Sequence, residues 1–287
     1  MPRLEPMTRH AFEEGFTLAL GGGGARGWAH LGVARALEAH GLRPTRIIGT
    51  SMGAIVGACL AAGRTPDEIT TGARRMPLFR NVRRGRLALF DPQPVLERMA
   101  SDLGDPRIEE LPVPFGVTTF DLVTGRPRLL TSGRLIDALA RSIAVPLFFS
   151  PRPDADGVWC DAGPWEGVPV SLAREWAPGD PVIGVLADIP KLGFFASPWS
   201  AALLRAASAR LGVGDAADRL TARRYLALLA ARWADPVVQE VPDLLIAPRL
   251  GWMSALQYGR IAEAAAIGER DTKIALDALI GDVADAA

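Results

Sequence analysis

The stretch that decides the fold is Ile47–Gly63, "IIGTSMGAIVGACLAAG". A β-branched run leads to Ser51, which stands between two glycines, and an apolar helix pattern follows at once. Gly49-Thr50-Ser51-Met52-Gly53 therefore matches G-x-S-x-G at a strand-to-helix turn, a motif that holds the serine Oγ exposed. Glycines two residues before and after the serine remove side chains that would clash as strand and helix fold together. A structural alternative, Ser51 as the helix N-cap, remains open and is compatible with catalysis.

Strand and helix patterns alternate around this stretch. "FTLAL" (16–20) precedes a helix pattern over 27–41, and the strand at 45–50 precedes the helix at 52–63. Short links between such elements are typical of a βαβα unit on a parallel sheet, so the class is α/β. Later patterns predict strands at 113–121, 126–131, 157–163, 181–189 and 241–248, and helices at 134–144, 169–177, 198–211, 216–234 and 255–283.

The composition is that of a globular protein. The 287 residues are 49% hydrophobic and 22% charged, and the formal net charge is +0, which argues against general nucleic-acid binding. We predict an N-terminal extension (1–14) and a single α/β domain (15–287) with a helical insertion near 64–110. The residues from Thr65 to Glu68 have the pattern of a capping box with proline at the first helical position.

Several features point to a cytoplasmic protein without a metal. Cys59 and Cys160 are too few for a disulfide framework or a metal cluster, and we expect both to be small buried hydrophobes. Acidic residues interrupt the N-terminal segment where a signal peptide would be apolar, and no run approaches the ~18 apolar residues of a membrane span. We expect no cofactor, and the predicted location is the cytoplasm, with peripheral contact at the inner membrane surface left open.

The glycine-rich loop Gly21–Gly27 permits two interpretations. Gly22, Gly24 and Gly27 fit G-x-G-x-x-G between a strand and a helix, which is the dinucleotide-binding fingerprint in its proper context. That fingerprint needs an acidic residue about 20 residues on, and none occurs from Ala39 to Pro66, which disfavours it. Backbone amides at a glycine loop can instead form an oxyanion hole for acyl transfer. Arg26 would then lend positive charge or brace the loop.

A serine nucleophile needs a base, and the histidines are poorly placed to supply one. His10, His30 and His40 all precede Ser51, whereas the α/β-hydrolase order places histidine after serine. Asp161 is the best candidate, because it ends a short strand where a parallel sheet presents functional groups. Its structural alternative is an aspartate that caps a turn.

Together the three motifs resemble the patatin-like phospholipase family in its bacterial branch. They are Gly22-Gly23-Gly24-Ala25-Arg26-Gly27, the Gly49–Gly53 elbow and the turn at Asp161-Ala162-Gly163. The resemblance covers about residues 15–285 and implies a three-layer α/β/α sandwich around a mostly parallel sheet. It also implies a Ser–Asp dyad of Ser51 and Asp161 that cleaves lipid acyl esters through an acyl-enzyme. Amides of Gly22–Ala25 would form the oxyanion hole, and Arg26 would support the loop.

Two departures from the family pattern affect the turn after Asp161. The family usually has glycine where this chain has Ala162, and alanine would be strained there if that position needs a positive φ. "PWEG" then brings Trp165 and Glu166 beside the site, where they would reshape the pocket or donate a carboxylate. These departures motivate an alternative function, a catalytically weak scaffold that binds acyl chains or protein partners.

Lipid substrates require an apolar approach to the site. The segments 76–90, "MPLFRNVRRGRLALF", and 192–204, "LGFFASPWSAALL", are candidates for membrane docking, and the first adds arginines for anionic headgroups. Core packing and a solvated charged face are the alternatives for both segments. The sequence leaves the oligomeric state, the acyl-chain length and the headgroup open.

Overall fold

The structure, a computed structural model, describes residues 9–75, 91–145, 148–187, 220, 223–225, 227–228 and 240–284. Its strands are β1 (Thr17–Leu20), β2 (Arg46–Thr50), β3 (Phe115–Asp121), β4 (Arg126–Leu130), β5 (Arg152–Pro153), β6 (Val158–Cys160), β7 (Val182–Val185) and β8 (Leu244–Ile246). Its helices are α1 (Arg9–Glu13), α2 (Ala29–Ala39), α3 (Met52–Ala61), α4 (Pro66–Ala73), α5 (Gln93–Leu103), α6 (Leu135–Ser142), α7 (Val170–Trp176) and α8 (Ile261–Ala284). Short 3₁₀ helices span Gly24–Trp28 and Ile108–Glu110.

The strands form one eight-stranded mixed sheet in the order β5-β6-β3-β2-β1-β7-β8, with β4 paired to β3. Strands β3, β2, β1, β7 and β8 run parallel, and β4 and β6 are antiparallel to β3. The parallel strands thus all direct their carboxyl ends to one edge of the sheet. Functional groups of open α/β sheets gather at that edge.

Side chains alternate between the two faces of the sheet, and each face has its own core. Leu18 and Leu20 of β1 belong to the large cluster formed with helices α1 to α6 and α8, whereas Ala19 packs on the other side with α7 residues such as Val170 and Ala173. The period of two along the strand assigns these residues to opposite faces. The three-layer α/β/α sandwich expected from the sequence is therefore confirmed.

The helix that follows the glycine loop is packed unusually close to the C-terminal helix. A Cβ at Gly32 of α2 would lie 1.8 Å from the carbonyl oxygen of Ala265 in α8. A Cβ at Gly268 of α8 would lie 2.2 Å from the carbonyl oxygen of Ala29. Only glycine permits backbones to approach this closely, so both helices are fixed relative to each other next to the site.

Most element predictions agree with the structure. The βαβα unit and the hairpin at Gly125 form as expected, and the Thr65 capping box with Glu68 is present. The terminal helix begins at Ile261 rather than near 255, because turns occupy 251–260. The helices predicted at 198–211 and 216–234 fall wholly or largely outside the described residues, as do both candidate docking segments, 76–90 and 192–204.

Two smaller findings concern the N-terminus and the cysteines. Within the segment expected to be an extension, α1 buries Phe12, which makes an edge-to-face contact with Phe16. Cys59 is half-buried, Cys160 is buried, and both are free, as predicted for cysteines that pack as hydrophobes. In the described part of the chain, no helix is both long and apolar enough to cross a membrane.

Candidate active site

The backbone at Ser51 is strained. Its φ of +55° lies in the left-handed region, which residues with a side chain rarely adopt. The carbonyl of Ser51 accepts the first hydrogen bonds of α3, from Ala54 and Ile55, but the side chain makes no capping hydrogen bond. Since the Oγ is not used as an N-cap and the residue is partly exposed, its hydroxyl is available for chemistry.

Both glycines of the elbow are required by contact. A Cβ at Gly49 would lie 2.5 Å from the carbonyl oxygen of Gly53. A Cβ at Gly53 would lie 2.2 Å from the carbonyl oxygen of Leu20 in the neighbouring strand. These neighbours are backbone atoms that cannot rotate away, so the elbow closes only with glycine at both positions.

Buried hydroxyls support the elbow from below. The Oγ of Ser142, at the end of α6, accepts a hydrogen bond of 2.9 Å from the backbone N–H of Ser51. The hydroxyls of Thr50 and Thr118 are 2.5 Å apart, and that of Thr118 donates to the carbonyl of Gly49. Ser142 is fully buried. Sequence reasoning missed this residue, because a serine inside an amphipathic helix pattern carries no sign of a partner 91 residues away.

The register of the sheet brings Ser51 and Asp161 together. Strands β2 and β6 use the same edge of β3, because β4 occupies the opposite edge at both places. Thr50 at the end of β2 pairs with Thr118, and Cys160 at the end of β6 pairs with Phe120. The two strands run toward each other, so the next residue of each falls opposite Thr119. Those two residues are the candidate nucleophile and the candidate base.

Asp161 is buried and held by its own turn. It is 3% exposed, its N–H donates to the carbonyl of Ala144, and its Oδ1 accepts a 2.7 Å hydrogen bond from the N–H of Gly163. The hydroxyl of Thr119 donates to the carbonyl of Cys160 and fixes the end of β6. The turn-capping interpretation of Asp161 is thus correct for Oδ1, and it orients the carboxylate in the site rather than excluding a catalytic role.

The departures from the family pattern do not distort this turn. The φ of Ala162 is outside the left-handed region, so the strain expected for alanine there is absent. Its methyl group is buried in a cluster with Phe120 and Tyr225, and Trp165 stacks on Phe120 at 3.5 Å between ring centroids. The carboxylate of Glu166 accepts hydrogen bonds from the N–H and the hydroxyl of Ser171 at the start of α7. Glu166 therefore caps a helix and is not a second carboxylate in the site.

The glycine loop lies beside Ser51, and its backbone amides differ in whether they already donate a hydrogen bond within the protein. A Cβ at Gly22 would lie 3.5 Å from the Cβ of Ser51. The amides of Gly22 and Ala25 donate to the carbonyls of Gly167 and Ala255, so they are not available to a substrate. For the amides of Gly23 and Gly24, both partly exposed, the described residues provide no acceptor. The donor set expected from Gly22 to Ala25 is thereby narrowed to these two amides.

Arg26 braces the loop from behind. Its Nε donates to the carbonyl of Ala187 at 2.7 Å, and its Nη1 donates to the carbonyls of Gly251 and Met253. The guanidinium is buried and both its Nε and its Nη1 donate to backbone carbonyls, so its contacts favour the supporting role. Gly27 packs against Met52, whose Cγ would be 2.4 Å from a Cβ there, so this contact requires glycine.

The histidines have structural positions. His30 is buried, and its Nε2 donates to the carbonyl of Gly21 at 2.9 Å. Burial lowers the pKa of His30 to about 4, and the hydrogen bond to Gly21 opposes this only in part. The imidazole is therefore neutral at pH 7, and among the described residues its Nδ1 has no partner. His10 contacts Glu13 on the surface, and His40 contacts the carbonyl of Ala36.

Comparison with known proteins places the chain in a family. Residues 18–174, more than half of the chain, match the family model described as patatin-like phospholipase. That range begins in β1 and includes the glycine loop, the elbow and the Asp161 turn. The protein belongs to the patatin-like phospholipase family, and the resemblance drawn from the sequence is confirmed.

The relatives are larger proteins. An uncharacterized NTE family protein of Mycobacterium tuberculosis is 34% identical over 182 residues, which are 60% of this chain and 46% of that protein. A lysophospholipase, NTE1, of Mycosarcoma maydis is 31% identical over 176 residues, 54% of this chain and 9% of its own length. The chain thus spans less than half the length of these relatives. VipD from Legionella pneumophila superposes with a TM-score of 0.49 at 15% identity, covering 92% of this chain and 66% of VipD.

Proposed function

We propose that the protein hydrolyses carboxylic esters of lipids, with Ser51 as nucleophile and Asp161 as general base. The observation that carries this proposal is the register of β2 and β6 along β3, which places Ser51, directly after β2, and Asp161, directly after β6, opposite the same residue of β3. The strained φ of Ser51 supports it, because a left-handed serine is expected where the surrounding structure enforces a functional geometry. Family membership supports the reaction class.

The reaction is written with these groups. The carboxylate of Asp161 accepts the Ser51 proton as the Oγ forms a bond to the ester carbonyl carbon. The amides of Gly23 and Gly24 donate to the resulting oxyanion, and such donors are typically worth about 3–4 kcal/mol each. The intermediate collapses, the alcohol leaves with the proton from Asp161, and the acyl group stays on Ser51. Water then attacks the acyl-enzyme and gives a proton to Asp161. As the second intermediate collapses, Asp161 returns that proton to the Ser51 Oγ, and the carboxylic acid is released.

A cavity next to α3 is the candidate place for the acyl chain. It has a volume of about 550 Å³ and is lined in part by Trp28, Ile55, Cys59 and Met99. Ile55 and Cys59 follow Ser51 by roughly one and two helical turns. Charged residues such as Arg64 line the cavity farther along. We expect the Ile55→Trp substitution to shift the preference toward short acyl chains.

The test is hydrolysis of p-nitrophenyl esters by matched variants. Ser51→Ala and Asp161→Asn should each lower kcat/KM by at least about 10³-fold, as for other members of a nucleophile–base pair. Ser101→Ala and Asp156→Asn change an exposed serine and an exposed aspartate and should have no effect. Wild-type rates in Ser51→Ala would refute the assignment. The name of the fungal relative makes a lysophospholipid the first natural substrate to assay.

The alternative is the catalytically weak scaffold. It was motivated by strain at Ala162 and by the nearness of Trp165 and Glu166. The absence of a left-handed backbone at Ala162 and the hydrogen bonds of Glu166 to Ser171 weaken this motivation. It would regain support if all p-nitrophenyl esters were inert while an acyl-chain probe still bound in a saturable manner.

A further inference from the structure

The segment between β8 and α8 exposes apolar side chains close to the site. Trp252 is 89% exposed and Leu256 is 53% exposed. Single exposed apolar residues are common on protein surfaces, but a nearly fully exposed tryptophan accompanied by leucine on one short loop is unusual. The segment 251–256 is called the Trp252 loop below.

The Trp252 loop is tied to the glycine loop. The Nη1 of Arg26 donates to the carbonyls of Gly251 and Met253, on either side of Trp252. The amide of Ala25 donates to the carbonyl of Ala255, and the side chain of Met253 is buried. These contacts anchor the Trp252 loop to the glycine loop and leave the indole exposed to solvent.

The chemistry and the small area of this patch fit a lipid surface. A tryptophan side chain buries about 150–250 Å² on contact, and a leucine adds less, whereas a stable protein partner needs about 800 Å² per side. A bilayer requires no complementary surface, and the indole ring prefers the headgroup level of a membrane. The side chains of Arg249 and Arg260 flank the loop, 71% and 43% exposed, although each is paired with a carboxylate, Asp271 and Glu263.

We propose that the Trp252 loop docks the protein on phospholipid surfaces and so presents the lipid–water interface to Ser51. This inference rests on the proposed function, since it concerns the delivery of lipid esters to that same site. Docking places the indole and Leu256 among the headgroups, and Arg249 and Arg260 face the phosphates. Because the Trp252 loop is hydrogen-bonded to Ala25 and Arg26, docking brings the glycine loop that borders Ser51 close to the lipid surface.

The test compares Trp252→Asp with Val241→Asp and Trp252→Phe. Val241 is the matched control. It is 74% exposed, but it precedes β8 and so lies at the amino-terminal ends of the parallel strands, away from Ser51. Co-sedimentation uses vesicles of phosphatidylcholine with one-fifth phosphatidylglycerol, and p-nitrophenyl butyrate reports hydrolysis of a soluble ester. We expect Trp252→Asp to lower the vesicle partition coefficient by at least about tenfold with unchanged soluble-ester hydrolysis. Val241→Asp and Trp252→Phe should keep most of the binding.

Each other outcome has a fixed meaning. The proposal is overturned if the wild type does not bind vesicles or if Trp252→Asp binds as well as the wild type. A concentration-dependent dimer that Trp252→Asp abolishes would assign the loop to a second copy of the chain instead. Loss of soluble-ester hydrolysis in Trp252→Asp alone would make the loop part of the site's structure rather than a docking element. Absence of ester hydrolysis in every variant, with vesicle binding as expected, would reject the proposed function and keep the docking surface.

Discussion

The elbow and the aspartate turn hold their side chains by different means. At the elbow, a φ of +55° at Ser51 is enforced by glycines whose Cβ positions are occupied by backbone atoms. At the turn, Ala162 has no left-handed backbone, and the carboxylate of Asp161 accepts a hydrogen bond from the N–H of Gly163 that orients it. The serine is thus placed by the backbone and the aspartate by a side-chain contact, so the two should respond differently to substitution.

The largest effect is expected at Gly53. Gly53→Ala places a methyl group 2.2 Å from the carbonyl oxygen of Leu20, and neither backbone can move without breaking the β1–β2 pairing. We expect a loss of about 4 kcal/mol or more in the free energy of unfolding, measured by urea denaturation. Gly72→Ala in α4 is the control, because its nearest atom would be 3.7 Å away and alanine favours a helix. Equal stability of the two variants would mean that the elbow is not sterically locked.

The next effect depends on pH and tests the support of the glycine loop. His30 has a folded-state pKa of about 4 and a reference value of 6.5, so the unfolded chain binds the proton first as the pH falls. The contribution of neutral His30 to the free energy of unfolding is fully present above pH 6.5. It falls by about 3 kcal/mol as the pH decreases to 4. His30→Asn should remove this part of the decline, whereas His10→Asn, at an exposed site, should not. A pH profile of urea midpoints that is the same in His30→Asn and the wild type would contradict the buried neutral imidazole.

A smaller effect is expected at the aspartate turn, on activity rather than on folding. A Cβ at Gly163 would lie 3.0 Å from Oδ1 of Asp161, so Gly163→Ala pushes the carboxylate out of position. We expect kcat on a soluble ester to fall by about 30-fold with little change in KM, because orientation of the base matters in the chemical step. Gly259→Ala, where a Cβ meets nothing within 4 Å, is the control. If Gly163→Ala failed to fold, the turn would be as intolerant of substitution as the elbow, and the proposed difference between the two regions would be wrong.

The smallest effect is expected at Ala162. Ala162→Gly removes a buried methyl group from the cluster of Phe120 and Tyr225 and adds backbone freedom, so stability should fall by about 1 kcal/mol. Activity should stay within about twofold, because the backbone there needs no glycine. A large gain in kcat on the same substitution would show that alanine does restrain Asp161.

Local signals in the sequence were sufficient for much of the fold and for the candidate residues. The β-branched run before Ser51, the glycines around it and the capping box at Thr65 each act within a few residues, and each forms as predicted. The predicted start of α8, near 255, was wrong, since the helix begins at Ile261. The side chains of Ser254 and Gln257 accept hydrogen bonds from nearby backbone amides, and such bonds compete with a helix. The roles assigned to Ser51 and Asp161 remain proposals.

Features set by distant contacts could not be predicted. Which amides of the glycine loop are free depends on the carbonyls of Gly167 and Ala255, far along the chain. The support of Ser51 by Ser142 arises only when α6 packs beneath the elbow. The strain expected at Ala162 rested on a backbone angle that a sequence does not reveal. The exposed Trp252 was also missed, since it lies between the strand predicted at 241–248 and the helical region predicted at 255–283.

The most direct test of the Ser51 and Asp161 assignment is labelling with a fluorophosphonate, followed by peptide mass spectrometry. The wild type should carry one adduct, on the peptide that contains Ser51, and Ser51→Ala should carry none. Asp161→Asn should react at least about 100-fold more slowly, because the base that removes the serine proton is lost. A folded wild-type protein that takes no adduct at Ser51, or that is labelled as fast in Asp161→Asn, would contradict the assignment.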